Sequence, residues 1–213
     1  MTTAQAIIDE LRSEALNDSG KDRYTDARLL GYLNEALYEI ALRRPDLFTS
    51  QGTVTTVAGV YQQAPTDSLR LMDVMQVQGG RVLRETDQES MDNFDPTWRA
   101  ATAATAKNWM RYRKDPNRFL INPPSAGSDT LVVLYARIPT ALALSDAFPL
   151  ADAYRPAAKH YMVYKAEMPQ DESILSGRAQ LEFQAFEGSL GASVQTKALV
   201  DDETSRKDRR VNR

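Results

Sequence analysis

Few side chains in this sequence are of kinds that do chemistry, and their spacing narrows the choice further. Cysteine is absent and His160 is the one histidine. Thiolate zinc sites, iron–sulfur clusters, disulfide scaffolds and cysteine nucleophiles are therefore excluded together. A Ser-His-Asp triad would have to be built on His160. That residue sits beside Lys159 and just before Tyr161, an apolar position of a helical pattern, which favours a helix-surface histidine over a general base. Asp92, Asn93 and Asp95 resemble part of a calcium loop, but the spacing is wrong and Pro96 follows directly, so a capped turn is expected. No Gly-x-Gly-x-x-Gly occurs, and Gly20-Lys21 runs into Asp22 where a phosphate loop needs Ser or Thr. No catalytic residue, metal site or cofactor is assigned, and a binding role is favoured over an enzymatic one.

Two segments carry bases in patterns that suggest a partner. Trp109, Arg111 and Arg113 alternate onto one strand face near Lys107 and Lys114, as in surfaces that stack and neutralise nucleic acid. The other reading is a solvated strand face, and it suits a chain of net charge −3 and pI near 5.3. Residues 206–213 hold five bases (Arg206, Lys207, Arg209, Arg210, Arg213) against one acid. Residues 197–213 together carry +2, which leaves −5 on residues 1–196. With almost no apolar content this stretch cannot offset its own ordering entropy, so it is expected to be an extended tail that orders on a foreign surface. Extended at ~3.3 Å per residue, it would reach on the order of 55 Å.

The elements that must position these residues follow from periodicity along the 213 residues. Ala4, Ile8, Leu11 and Ala15 make one apolar stripe on a helix from about Thr3 to Ala15. Asn17-Asp18-Ser19-Gly20 supplies a turn. A second helix starts at an N-cap, Thr25, has the seam Leu30, Leu33, Leu37 and Ile40, and stops before Pro45. From about Gly52 to Pro139 the pattern is extended. Hairpins are expected around Ala58-Gly59, Gly79-Gly80 and Asp115-Pro116-Asn117, and 131–135 reads as a buried central strand. Residues 88–95 read as a short helix, and Pro96–Lys107 as an exposed loop. Helical periodicity returns with Tyr154, Ala157, Tyr161, Tyr164 and Met168, then with Leu175, Ala179, Phe183, Phe186 and Leu190. The tyrosines fit core positions with hydroxyls at the margin better than a ligand box.

Isolated amphipathic helices need their stripes buried. The expected fold is α+β: a helical bundle built from N- and C-terminal helix pairs, with an inserted antiparallel β module and an extended C-terminal tail. The corresponding boundaries are 1–50 and 140–195 for the two halves of the helical core, 51–139 for the β module and 196–213 for the tail. No apolar run approaches the ~20 residues of a membrane span and no signal peptide is evident, so a soluble, cytosolic product is expected.

The order of the pieces resembles a known family. Leu30-Gly31-Tyr32-Leu33-Asn34-Glu35-Ala36 runs into Arg44-Pro45-Asp46. A β module follows with 115–124 (Asp115 to Pro124) and a strand ending Arg137-Ile138-Pro139. Then come 149–157, Pro149 to Ala157, and a helix with Phe183-Gln184-Ala185-Phe186. This sequence of segments, to about Gln195, is similar to the phage adaptor (head–tail connector) proteins of tailed bacteriophages. The resemblance implies a structural, non-enzymatic protein of the virion head–tail junction, assembled in the host cytoplasm. Such proteins form a closed ring, typically twelvefold, that bridges the portal to a tail or nozzle protein. DNA passes through the channel without specific binding, and no membrane or cofactor is involved. C-terminal extensions dock on the portal, which here points to Leu199, Val200, Arg206, Lys207, Arg209, Arg210 and Arg213. Subunit or tail contacts are expected at Gly79, Gly80, Trp109, Asp115 and Asn117. Two other readings stay open: a nucleic-acid-binding accessory protein using the basic tail and the Trp109 strand, and a hydrolase working with Asp and Glu pairs.

Overall fold

Thr3 opens the first helix: its hydroxyl accepts from the Ala6 amide, and α1 runs Ala4–Leu11 with Ala4, Ile7, Ile8 and Leu11 buried. The computed structural model of the chain describes residues 2–101, 105–168 and 177–191. It divides into two compact units, one formed by the segments up to Arg43 and from Thr140 onward, the other by Arg44–Pro139.

In the first unit α1 continues into a π-helical turn, Arg12–Leu16, which Asn17 ends in the left-handed region at φ 52°. Helix α2, Asp26–Arg43, is capped by the Thr25 hydroxyl accepting from the Arg28 amide and buries Leu29, Leu33, Leu37 and Ile40. The seam thus begins at Leu29, one residue before Leu30. The connection is built on charge. Arg12 is 2% exposed and donates to Asp18 and Asp26, each at 2.8 Å. Asp18 in turn accepts from the amides of Asp22, Arg23 and Tyr24. Helix α4 (numbered after α3 of the second unit), Arg155–Glu167, buries Ala158, Tyr161 and Met162 and packs on α2 and α1. Residues 177–191 are helical, and their Phe183 and Phe186 meet Tyr164 and Tyr161 at ring-centroid distances of 4.9 and 5.2 Å.

The expected bundle of N- and C-terminal helix pairs is not what forms. The chain is α+β with a β-rich core in its middle. Besides packing on α2 and α4, α1 draws on an extended segment. The Ala4 and Gln5 amides donate to the Asp146 and Leu144 carbonyls, both at 2.9 Å, and Thr3 bridges Ala147. Asn34 of α2 holds the same segment through both its amide atoms, at Leu142. Helices this short are stable only through such tertiary partners.

The second unit holds seven strands in two sheets, not one antiparallel module. Its strands are β1 Thr49–Thr55, β2 Gly59–Gln63, β3 Ser68–Val77, β4 Arg84–Glu85, β5 Asn108–Arg111, β6 Arg118–Ser125 and β7 Thr130–Arg137. One sheet has the order β1–β7–β3 and the other β2–β6–β5–β4, with β4 parallel to β5. The apolar run of 131–135 does occupy a central strand, β7. The expected hairpin at Ala58-Gly59 is instead a crossover between sheets, since β1 pairs with β7 and β2 with β6. Gly59 takes φ 111°, and the Gln62 side chain bonds Val57 on both its amide and carbonyl, which fixes the crossing. Helix α3, Gln88–Phe94, is capped by Asp87. The loop expected to be exposed after Pro96 instead buries Trp98 to 1% against Val60, Met110 and Leu120.

Candidate functional site

In the helical unit, the end of α1, α4 and the 177–191 helix enclose a cavity of about 270 Å³. It is lined by the apolar Leu11, Ala15, Pro156 and Val163 and by Glu14, Lys159, His160 and Glu182. The lining charges are paired. His160 Nδ1 lies 2.6 Å from Glu182 Oε2, and Lys159 reaches Glu14 at 3.0 Å and Glu10 at 2.5 Å. Arg155 also bonds Glu10. The Lys159 hydrogen bond, with help from Arg155, holds the Glu10 carboxyl below its ordinary value. General acid catalysis needs the opposite shift. His160 joins α4 to the 177–191 helix through Glu182, a partner with no sequence signal.

The β unit shows the same habit. Trp109 is fully buried, which puts the indole inside the core, and the Arg111 guanidinium lies 5.1 Å from its ring centroid. Arg111 Nε donates to Glu85 at 2.6 Å and its other nitrogens to the Leu71 and Met72 carbonyls. Arg113 pairs with Asp87 at 3.3 Å. Asp92 accepts from Arg99 and from the Trp98 indole, and both bonds, Arg99's foremost, hold it below the usual carboxylate range. The bases of this strand, read as a solvated face or alternatively a nucleic-acid one, are thus met by carboxylates of the same unit. Neither feature was visible in the spacing, because Glu85 and Asp87 approach through the parallel β4–β5 pairing.

The two expected tips differ. Gly79, at φ 69°, and Gly80 form the β3–β4 turn, closed by the Gly80 amide on the Val77 carbonyl at 2.8 Å and flanked by Val82, 65% exposed. At the β5–β6 turn Asp115 caps the Asn117 amide, while Asn117 exchanges hydrogen bonds with Ser68. Asn117 is therefore tied inward. Large apolar side chains stand free in each unit: Phe94 at 88% in the β unit, Leu181 at 67% in the helical one. Leu199, Val200, Arg206, Lys207, Arg209, Arg210 and Arg213 lie outside the described residues.

With this layout in view, the model of the SU10 adaptor protein family matches residues 2–211. The chain belongs to the SU10 adaptor protein family. Its role is accordingly that of a structural phage adaptor, a component of the virion head–tail junction that associates with portal and tail parts, and the family is not an enzymatic one. No curated protein matches the chain. Among the described residues no helix is long and apolar enough to cross a membrane.

Proposed function

We propose that this SU10 adaptor protein assembles as a closed ring, twelvefold as the family resemblance implies, between the portal and a tail or nozzle protein, leaving a channel for DNA. The observation that carries the proposal is the family match over residues 2–211. A ring closes through heterologous contacts, in which two unlike patches of one copy meet. The exposed apolar groups in each unit, Phe94 and Val82 in one and Leu181 and Leu42 in the other, support two such patches. The internal pairing of Arg111 and Arg113 supports passage of DNA over its retention, as does the −5 charge of residues 1–196.

In this reading Arg206, Lys207, Arg209, Arg210 and Arg213 anchor the C-terminal segment in acidic grooves of the portal, with Leu199 and Val200 as small apolar contacts. The Gly79-Gly80 turn and Asp115 meet a neighbour or the tail protein. Trp109 and Asn117 support those turns from within. The test is the mass of the purified chain alone and with portal rings, repeated after removal of residues 199–213. The expected result is a large complex for the whole chain and none for the shortened one, with both folded. A shortened chain that still loads portals would refute the anchor, and a whole chain that never does would refute the bridge.

A further inference from the structure

Strand β1 presents a bare backbone edge. It is the terminal strand of its sheet and pairs residue for residue with β7. Two bonds fix the parity. The Thr56 amide donates to the Asp129 carbonyl at 2.8 Å, and the Thr130 carbonyl, opposite Thr55, accepts from Gln78 on the far side of β7. Antiparallel pairs alternate, so the N–H and C=O groups of Ser50, Gly52 and Val54 face β7 and those of Gln51, Thr53 and Thr55 face outward. No described residue bonds to the outward set.

Natural edges are blunted by charges, prolines or bulges. The opposite edge, β3, has three register shifts and carries Arg70 and Asp73. By contrast β1 has an unbroken register, and no charged residue lies between Asp46 and Asp67. Its exposure alternates cleanly, with Thr49, Gln51, Thr53 and Thr55 exposed and Ser50, Gly52 and Val54 half-buried.

We propose that this edge is completed by residues 192–198 (Ala-Ser-Val-Gln-Thr-Lys-Ala) of a second copy. That segment lies outside the described residues and directly follows residue 191, with 22 residues from 192 to 213 to draw on. It holds seven residues, as β1 does, without Gly or Pro. Val194 and Thr196 would continue the half-buried face and Ser193, Gln195 and Lys197 the exposed polar one. The contact joins two unlike patches, so it propagates around a ring where a β1–β1 pairing would close a dimer. It deepens the ring reading and rests on it, and leaves the bases after Arg206 free for the portal.

The chain has no cysteine, so single cysteines report cleanly. Whole chains carrying Thr53→Cys are mixed with tagged chains carrying cysteine at each position from 193 to 197, with portal rings present, and oxidised. Disulfides need Cβ atoms within about 4.5 Å. Mixed dimers are therefore expected at Ser193, Gln195 or Lys197 in roughly tenfold excess over Val194 and Thr196. Thr53→Pro, which removes an outward N–H and spares the β1–β7 ladder, should abolish the cross-link at Gln195 in chains carrying Gln51→Cys. Absent or parity-blind cross-links, or Thr53–Thr53 dimers in the majority, overturn the proposal. If rings form on portals without cross-links, this contact alone fails; if no rings form, the ring reading falls with it.

Discussion

Replacing Trp98 by alanine tests how the middle of the chain is held together. The indole is 1% exposed, packs on Val60, Met110 and Leu120, and donates to Asp92 at 2.8 Å. Truncating a buried tryptophan to alanine costs roughly 3–5 kcal/mol. That is about a hundred- to several-thousand-fold in the folding equilibrium. At about 1–3 kcal/mol per molar urea, the midpoint should fall by roughly 1–5 M. Trp98 and Trp109 are the only tryptophans, so the fluorescence of Trp98→Ala reports Trp109 alone, inside the core of the same unit. Trp98→Phe keeps most of the packing and loses the indole bond, while Asp92 retains Arg99 at 2.7 Å, so its loss should be distinctly smaller. Were Trp98→Ala to lower the unfolding free energy by less than about 0.5 kcal/mol, the size of an ordinary surface change, residues after Pro96 would be the exposed loop that their Ala-Thr composition suggests, and the packing argument would be refuted.

Two further perturbations probe the turns. Asp18 is held below its ordinary 3.8 first by the Arg23 amide, then by those of Tyr24 and Asp22 and by the Arg12 charge. A depressed folded-state value stabilises the fold fully above the unfolded value and loses that contribution as pH falls through the folded one. Asp18→Asn should thus lower stability at pH 7 and show a shallower loss between about pH 5 and pH 2, measured by urea midpoints across that range. At the β3–β4 turn, Gly79→Ala should cost about 1 kcal/mol because φ is 69° although the new Cβ meets no atom within 4 Å. Gly80→Ala, with ordinary contacts at 3.4 Å or more and no positive φ, should stay within about 0.5 kcal/mol; thermal melts of the pair separate strain from crowding.

How much of this was legible depends on the range of the interaction. The stripe Ile8–Leu11, the Thr25 cap and the 131–135 strand are local patterns, and they emerge where periodicity puts them. What defeated the pattern was partner choice. Nothing in Thr53–Val57 says that its mate is β7 and not the adjacent 60–63 run, because a β-branched strand suits either and Gly59 reads equally as a hairpin or a crossover. Arg12 looks like a solvated helix residue until Asp18 and Asp26 fold around it. Trp98 sits among Thr97, Arg99 and Ala100, with no periodic neighbour to betray its burial. The family resemblance came from the order of segments and survived these errors, since order does not depend on which strands pair.

The pairing of charge within the chain bears on how an adaptor can recognise anything. Arg111, Arg113, Arg155 and Lys159 each already face a carboxylate of the same chain. A partner's acid would have to compete with that intramolecular carboxylate, so the net gain from a new salt bridge at the surface is small, within the 0–1 kcal/mol of exposed pairs. Groups without a competitor have more to offer. Backbone N–H and C=O of an open edge exchange water for a strand, and an exposed aromatic such as Phe94 gains about 25 cal/mol for each Å² it buries. Both kinds of contact are sensitive to shape and indifferent to salt, whereas the basic run after Arg206 is long-range and salt-sensitive. An adaptor built this way would use its charged end to find the portal and its edges and apolar groups to hold its neighbours. Raising ionic strength should therefore slow portal loading far more than it loosens a ring already formed.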